Sequence, residues 1–297
     1  MGETISATTA FIRQNHKILL KAIFFLALPF ILLGLISYTF TLAVLLEDFW
    51  DDYDSSAFAT YSELSSIFSI FSLLGSIVLV AVVYEYIILY FKRSDFEQIT
   101  VREIGKRVLD NIGLYLSTTI LLFFVVLALL VPFTALMFAW FSLIIGMTSG
   151  IAVFVVITTV GILLMCSYPV ITLSFIYIVR LVEGKSFGAA LSRCMIIVQG
   201  KWFSTLWLYM ITVFIVMSLI GLVPAILTGL TAFLINIFSW ESMLFLLPVT
   251  GVVYTIVGVI VNVITLIVVA LRYFSIVEEK EGIGLMRKIA LIGEERE

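Results

Sequence analysis

Charge is what this chain has least of. Charged residues make up 12% of its 297 positions, about half the ~25% of an ordinary soluble domain, and that scarcity excludes a soluble globule. Histidine is nearly absent: His16 stands alone, which excludes a multi-histidine iron or zinc centre. There are two cysteines, Cys166 and Cys194, far apart and in no CxxC pair, so neither a disulfide framework nor a thiolate metal site is expected. No phosphate-cradling glycine loop, nucleophile elbow or acid–base pair occurs. The chain is therefore expected to be no enzyme and to need no cofactor. In a chain this apolar the net charge of -3 says nothing about nucleic acid or acidic partners; how the charge is distributed is informative, and no nucleic-acid partner is expected.

What fills the chain instead is apolar sequence. Hydrophobic residues reach 62%, in runs well beyond the ~18 residues that mark a membrane-spanning helix. Runs so long and uniform are not barrel strands, which need ~10 alternating residues. The expected fold is all-α: a polytopic, six-transmembrane helical bundle with spans near 18–46, 62–91, 114–138, 150–180, 203–235 and 243–273. Several exceed the ~20 residues a bilayer requires, so tilt or protrusion is expected. The first run follows Arg13, Lys17 and Lys21 but continues to Leu46 without a convincing cleavage site. It reads as a retained span rather than a signal peptide. Residues 1–297 read as one integral membrane domain.

Charge alternates between connections. The first outer connection, LEDFWDDYDSS, holds Glu47, Asp48, Asp51, Asp52 and Asp54 and no base. All 17 Lys and Arg fall on the opposite side: in the N-terminal segment, in KRSDFEQITVREIGKR, in VRLVEGKSFGAALSRCMIIVQGK, or from Arg272 onward. The positive-inside rule makes that side cytoplasmic and places both termini there.

The basic segments also resemble one another. AFIRQNHKILLKA, VREIGKRVLDNIGLYL and GAALSRCMIIVQGKWFSTL precede spans 1, 3 and 5. Each reads as a short amphipathic helix, a break at Asn15, Asn111 or Gly200, and then a span. In the middle copy Val101, Ile104, Val108 and Ile112 share one face, opposite Arg102, Glu103, Lys106, Arg107 and Asp110. Thr100 and Glu103 form a T-x-x-E capping box. In the third copy Ser186 can cap, and Phe187, Ala190, Leu191 and Cys194 form the apolar stripe. Spans 1, 3 and 5 each carry a proline in a similar phrase: LPFILLGL (Pro29), VPFTALMF (Pro132) and VPAILTGL (Pro224). Three repeated hairpins follow, near 5–94, 95–184 and 185–276, with 277–297 as a cytoplasmic amphipathic tail. Two spans per unit give all three the same orientation, with a pseudo-symmetry axis along the membrane normal. The basic helices are expected to lie in the interface, where Arg102, Lys106, Arg107, Arg193 and Lys201 meet anionic headgroups.

The segment SFGAALSRCMIIVQGKWF between spans 4 and 5 resembles a group of six-span bacterial membrane proteins, best known as the membrane domain joined to some glycerophosphoryl diester phosphodiesterases. The closing RYFSIVEEKEGIGLMRKIALIGE resembles tails of uncharacterised relatives from Bacteroidetes-type bacteria. The resemblance covers nearly the whole chain in architecture and rests on short, degenerate motifs. It implies a six-helix fold in the bacterial inner membrane. It carries no activity across, because the phosphodiesterase barrel is a separate domain with no counterpart here.

Among individual residues, Glu85 in VVYEYIILY is the ionisable group to weigh. Seven residues before Lys92 places it ~10 Å into span 2, where a carboxylate is costly and marks a proton step, an ion step or a substrate contact. The structural alternative is a protonated or tyrosine-bonded carboxyl, or a pair with Arg180 from span 4. Ser62, Ser65, Ser69, Ser72 and Ser76 keep one face of span 2, spaced 3, 4, 3, 4. Small residues on one face let helix backbones approach, and the other reading is a polar conduction lining. Glu85 falls on the opposite side, which favours packing. The acidic cluster with Phe49, Trp50 and Tyr53 reads as an outer-interface loop rather than a calcium site. The function expected from all this is a non-enzymatic inner-membrane protein that organises or assists other membrane components, with membrane lipids and other membrane proteins as partners. A channel or transporter for a small or lipidic solute is the alternative.

Overall fold

The computed structural model describes residues 2–36, 55–92, 99–145, 152–237 and 241–282. Among these, helices follow one another and no strand occurs: α1 (Gly2–Leu26), α2 (Leu28–Ile36), α3 (Ser55–Lys92), α4 (Val101–Ile145), α5 (Ala152–Ser174), α6 (Ile176–Glu183), α7 (Phe187–Val198), α8 (Trp202–Ile237) and α9 (Glu241–Glu281). The acidic segment 47–54, the glycines of GMTSG (146–150) and the tail beyond 282 lie outside the described residues, as do the side chains of Ser62 and Ser65 within α3.

The chain is all-α, as its apolar runs require. Among the described residues, three helices are long and apolar enough to cross a membrane, through Ser69–Lys92, Val101–Ala135 and Gly251–Glu281. The number rises to five if the bent pairs α1–α2 and α7–α8 each count as one span. Their surroundings differ. In the most apolar 18-residue window of Ser69–Lys92, 67% of the residues are buried within the protein, whereas in that of Val101–Ala135 11% are. α3 is thus packed by protein, while α4 turns Phe123, Phe124, Leu127 and Val131 outward. An apolar face of that extent is an aggregation hazard in water and the ordinary exterior of a helix in hydrocarbon.

Helix ends follow local chemistry. α1 and α2 meet at a 51° bend, where Pro29 falls in the first turn of α2 and its missing N–H is tolerated. α6 stops at Gly184, whose φ of 64° is left-handed and whose N–H bonds to the Arg180 carbonyl, a glycine cap that a side chain would strain. Gly200, with φ 78°, ends the segment after α7 and lets α8 leave at 93°. The break expected at Gly200 is therefore present. The breaks expected at Asn15 and Asn111 are not: both asparagines lie inside unbroken helices, α1 and α4. Caps split the same way. Thr100 Oγ1 accepts the Glu103 N–H at 3.3 Å, whereas Ser186 takes the extended N-cap conformation without a side-chain cap bond.

Residues of the expected stripes differ in burial. Ile104 and Val108 are buried and Arg102 and Lys106 exposed; Ala190 and Cys194 are buried, with Phe187 and Leu191 half-buried.

Side-chain contacts align three sets of helices antiparallel. Tyr90 bonds to Gln14 and Tyr86 to Asn15, while Gly34 lies against Ser72, so α1–α2 and α3 run in opposite directions. Thr118 pairs with Arg180, Thr119 with Tyr177 and Trp140 with Thr159, which aligns α4 against α5 and α6. Lys201 pairs with Glu279 and Thr205 with Arg272, aligning α8 against α9. The chain divides into two compact units, one of Gly2–Ile112 with Tyr209–Val268 and the other of Gly113–Leu208 with the chain from Val269 on. These boundaries fall within α4, α8 and α9.

Candidate functional site

In the unit that contains α3, the polar centre is Glu85. Its side chain is 1% exposed. Asn111 Nδ2 donates to Glu85 Oε1 at 2.7 Å, and Arg107 Nη1 lies 4.0 Å from Oε2. Arg107 and Asn111 are four residues apart on α4, which puts both on the face turned to α3. A buried carboxylate needs such donors, because leaving it unpaired costs several kcal/mol. Tyr86, the next residue, points to α1: its hydroxyl donates to Asn15 Oδ1 at 2.7 Å. Asn15 Nδ2 in turn donates to the Phe11 carbonyl, and the Phe11 ring meets the edges of Tyr86 and Tyr90. Two neighbouring residues of α3 are thus held from two different helices, α1 and α4, by the two asparagines expected to break those helices. Arg180, the alternative partner considered for Glu85, bonds elsewhere.

The serine seam of α3 reaches a close helix contact at one level. A Cβ built on Gly34 would lie 2.5 Å from the Ser72 Cβ, and one on Gly75 would lie 2.8 Å from Ile31 Cγ1. The backbones of α2 and α3 approach here because small residues face each other. Ser76 returns its hydroxyl to the Ser72 carbonyl, and Ser69, Ser72 and Ser76 are exposed within the single chain.

In the other unit, Glu183 at the end of α6 gathers three donors. Arg193 Nε lies 3.0 and 3.1 Å from its two oxygens, Lys185 Nζ at 2.6 Å and the Tyr273 hydroxyl at 3.0 Å. Burial pushes the Glu183 carboxyl up, but the bonds from Lys185, Arg193 and Tyr273 outweigh it and hold the group below its ordinary range. Arg193 also pairs with Glu281, and Lys201 with Glu279. Lys280 Nζ donates to the carbonyls of Ile196 and Gln199, each at 2.7 Å. Those carbonyls close α7, where unpaired acceptors and the negative helix end favour a cation. The last turn of α9 is therefore a strap across α7. Arg193 and Lys201, expected to face headgroups, are engaged within the protein; Arg102 and Lys106 are exposed, and Arg107 is half-buried beside Glu85.

Two arginines have partners that the sequence reading did not assign. Arg272 is 5% exposed, with Nε 3.3 Å from Thr205 Oγ1 and Nη2 2.5 Å from Ser204 Oγ. Arg180 Nη1 donates to Ser117, at 3.3 Å, and to Thr118. In each case the base meets a Ser-Thr pair on an earlier long helix, Ser117–Thr118 of α4 or Ser204–Thr205 of α8. Ser-Thr in STTILL and in FSTLWL, one hairpin arm before Arg180 and Arg272, was the available signal. The His16 ring nitrogen Nδ1 lies 3.0 Å from the Arg13 carbonyl oxygen, a contact within α1. Among the described residues no group of three or more His, Cys, Asp or Glu could hold a metal.

Compared with known proteins, the chain matches no family model, no curated protein and no solved structure.

Proposed function

We propose that this chain is a six-span bacterial inner-membrane protein, with both termini cytoplasmic, that organises or assists other membrane components and catalyses no reaction. The observation that carries the reading is the state of Glu85. Among the described residues it is the one buried carboxylate, and it is held by Asn111 and Arg107 within helix packing. A carboxylate so held serves a rigid helix junction better than a proton or ion step. The apolar face of α4 supplies a surface for lipid and for other membrane helices.

Three like hairpins are part of the proposal. Support comes from the polar latch that recurs in each antiparallel pair: Asn15 with Tyr86, Thr118 with Arg180, and Thr205 with Arg272. The one-sided distribution of Lys and Arg supports cytoplasmic termini. The resemblance to the membrane domain of glycerophosphoryl diester phosphodiesterases is kept as part of the same reading.

Purification from native membranes in mild detergent tests it. A stoichiometric protein partner is expected. A preparation with bound lipid or solute and no protein partner overturns the organising role and favours the second reading, a channel or transporter for a small or lipidic solute. That second reading is supported by an open, largely apolar cleft of about 470 Å³ in the unit that contains Glu85.

A further inference from the structure

The cleft is walled by three helices of the unit made of Gly2–Ile112 and Tyr209–Val268. α1 supplies Thr8, Ile12 and Arg13, α8 supplies Thr212, and α9 supplies Ile264 and Val268. Each helix lends about one turn of wall, roughly 6–8 Å at 1.5 Å per residue. Its volume of about 470 Å³ falls in the ~300–1,000 Å³ range of small-molecule sites, which are mostly apolar with a few placed polar groups. Here the polar groups are hydroxyls and one guanidinium. No acid is among the lining residues, and no described carboxylate forms an ion pair with Arg13.

We propose that this cleft holds one acyl chain of an anionic phospholipid, with the Arg13 guanidinium on the phosphate. α9 contributes its wall from a membrane-length apolar helix, so the cleft's surroundings are hydrocarbon and the nearest abundant occupant is a lipid chain. Transfer from one apolar medium to another supplies no hydrophobic gain; shape and the headgroup contact decide occupancy. A guanidinium recognises a phosphate through paired, charge-assisted hydrogen bonds, and the exposed position of Arg13 leaves it free to do so. A neutral or cationic ligand finds no acidic lining group here. The inference goes beyond the proposed organising role, and neither of its results bears on whether a protein partner co-purifies.

The test is photolabelling of the full chain reconstituted in phosphatidylcholine vesicles, with a trace of phosphatidylglycerol or phosphatidylcholine carrying a diazirine on one acyl chain. Labelled peptides are mapped by mass spectrometry, with the exposed α4 face around Phe123 and Phe124 as the reference for lipid in bulk contact. With phosphatidylglycerol, labelling of segments 8–13, 211–215 and 264–268 is expected to exceed that reference about fivefold. Arg13→Gln should lower it to the phosphatidylcholine level, a loss of about fivefold, equivalent to the ~1 kcal/mol one basic residue contributes at an anionic surface. Ile215→Trp, which fills the cleft from an exposed position, should reduce cleft labelling to the reference; Ile264→Phe does the same from a different wall should Ile215→Trp fail to fold. Cleft labelling equal to the α4 reference, indifference to the filling variants, or equal labelling by the two lipids overturns the proposal. Competition by free oleate but not by unlabelled phosphatidylglycerol overturns it as well, in favour of a fatty acid.

Discussion

Asn111, deep within the unbroken helix α4, donates its side-chain amide to Glu85 of α3 across 2.7 Å. An asparagine is a poor helix former in isolation, and here its amide supplies a donor that a buried carboxylate cannot do without. The pair makes opposite predictions from the helix-break reading of the same residue. If Asn111 marked a break, Asn111→Leu would extend the helix and stabilise the protein. The structure predicts a loss of roughly 3 kcal/mol, the cost of leaving a buried charged acceptor short of a donor. Glu85→Gln keeps an acceptor for Asn111 and removes the charge, so its cost should be smaller, roughly 1 kcal/mol. Thermal unfolding of the two variants in detergent decides, and a stabilised Asn111→Leu protein would refute the pairing.

The close approach of α2 to α3 gives a second expectation. Gly34→Ala places a methyl group 2.5 Å from the Ser72 Cβ and 2.7 Å from its Cα, where backbone must move. Overpacking of this kind costs about 1–3 kcal/mol. Gly113→Ala, with nothing within 4 Å of the new methyl, should be neutral or gain up to ~1 kcal/mol from helix propensity. Equal melting temperatures for the two variants would show that α2 and α3 are not in contact at this level.

Acid should loosen the α6–α7 junction. Glu183 is held below its ordinary carboxyl value of 4.5, so in this pH range the unfolded chain binds its proton before the folded one does. The stability it contributes is complete above about 4.5 and is lost as pH falls through the lower folded value. Glu183→Gln should therefore flatten the acid limb of a melting-temperature profile and leave its slope near neutrality unchanged. An acid limb identical in the two proteins would assign the loss to other carboxylates.

The strap formed by α9 can be read through Cys194, a fully buried residue of α7. In a Cys166→Ala background, maleimide should react slowly with the folded protein and fast once α7 opens. Lys280→Ala removes both bonds to the carbonyls of Ile196 and Gln199 and should accelerate labelling several-fold. Lys280→Arg, which keeps a cation at the same helix end, should restore most of the protection. An unchanged rate in Lys280→Ala would show that the strap does not secure α7.

Much of the local architecture was legible before any fold was known. The T-x-x-E cap at Thr100 and Glu103, the stop at Gly200 and the buried faces of Ile104, Val108, Ala190 and Cys194 each depend on residues within one or two turns of each other. Ser186 shows the limit of such reasoning: it sits at the N-cap position and makes no cap bond. The fates of the polar residues were less accessible. Arg193 and Lys201 look alike in sequence to Arg102 and Lys106, yet the first two meet Glu281 and Glu279 from about 80 residues away, and the other two are exposed. Glu85 could be singled out as costly, but not its donors.

What the sequence determined by itself is the helical, apolar character of the chain, because scarce charge and long hydrophobic runs constrain any structure that must satisfy its own backbone. Which helix is wrapped in protein, and which asparagine, arginine or lysine meets which partner, only the tertiary structure decided. A buried polar group is stable only when a donor or acceptor arrives from another segment, and that partner is set by how the helices pack rather than by the residues beside it in the chain.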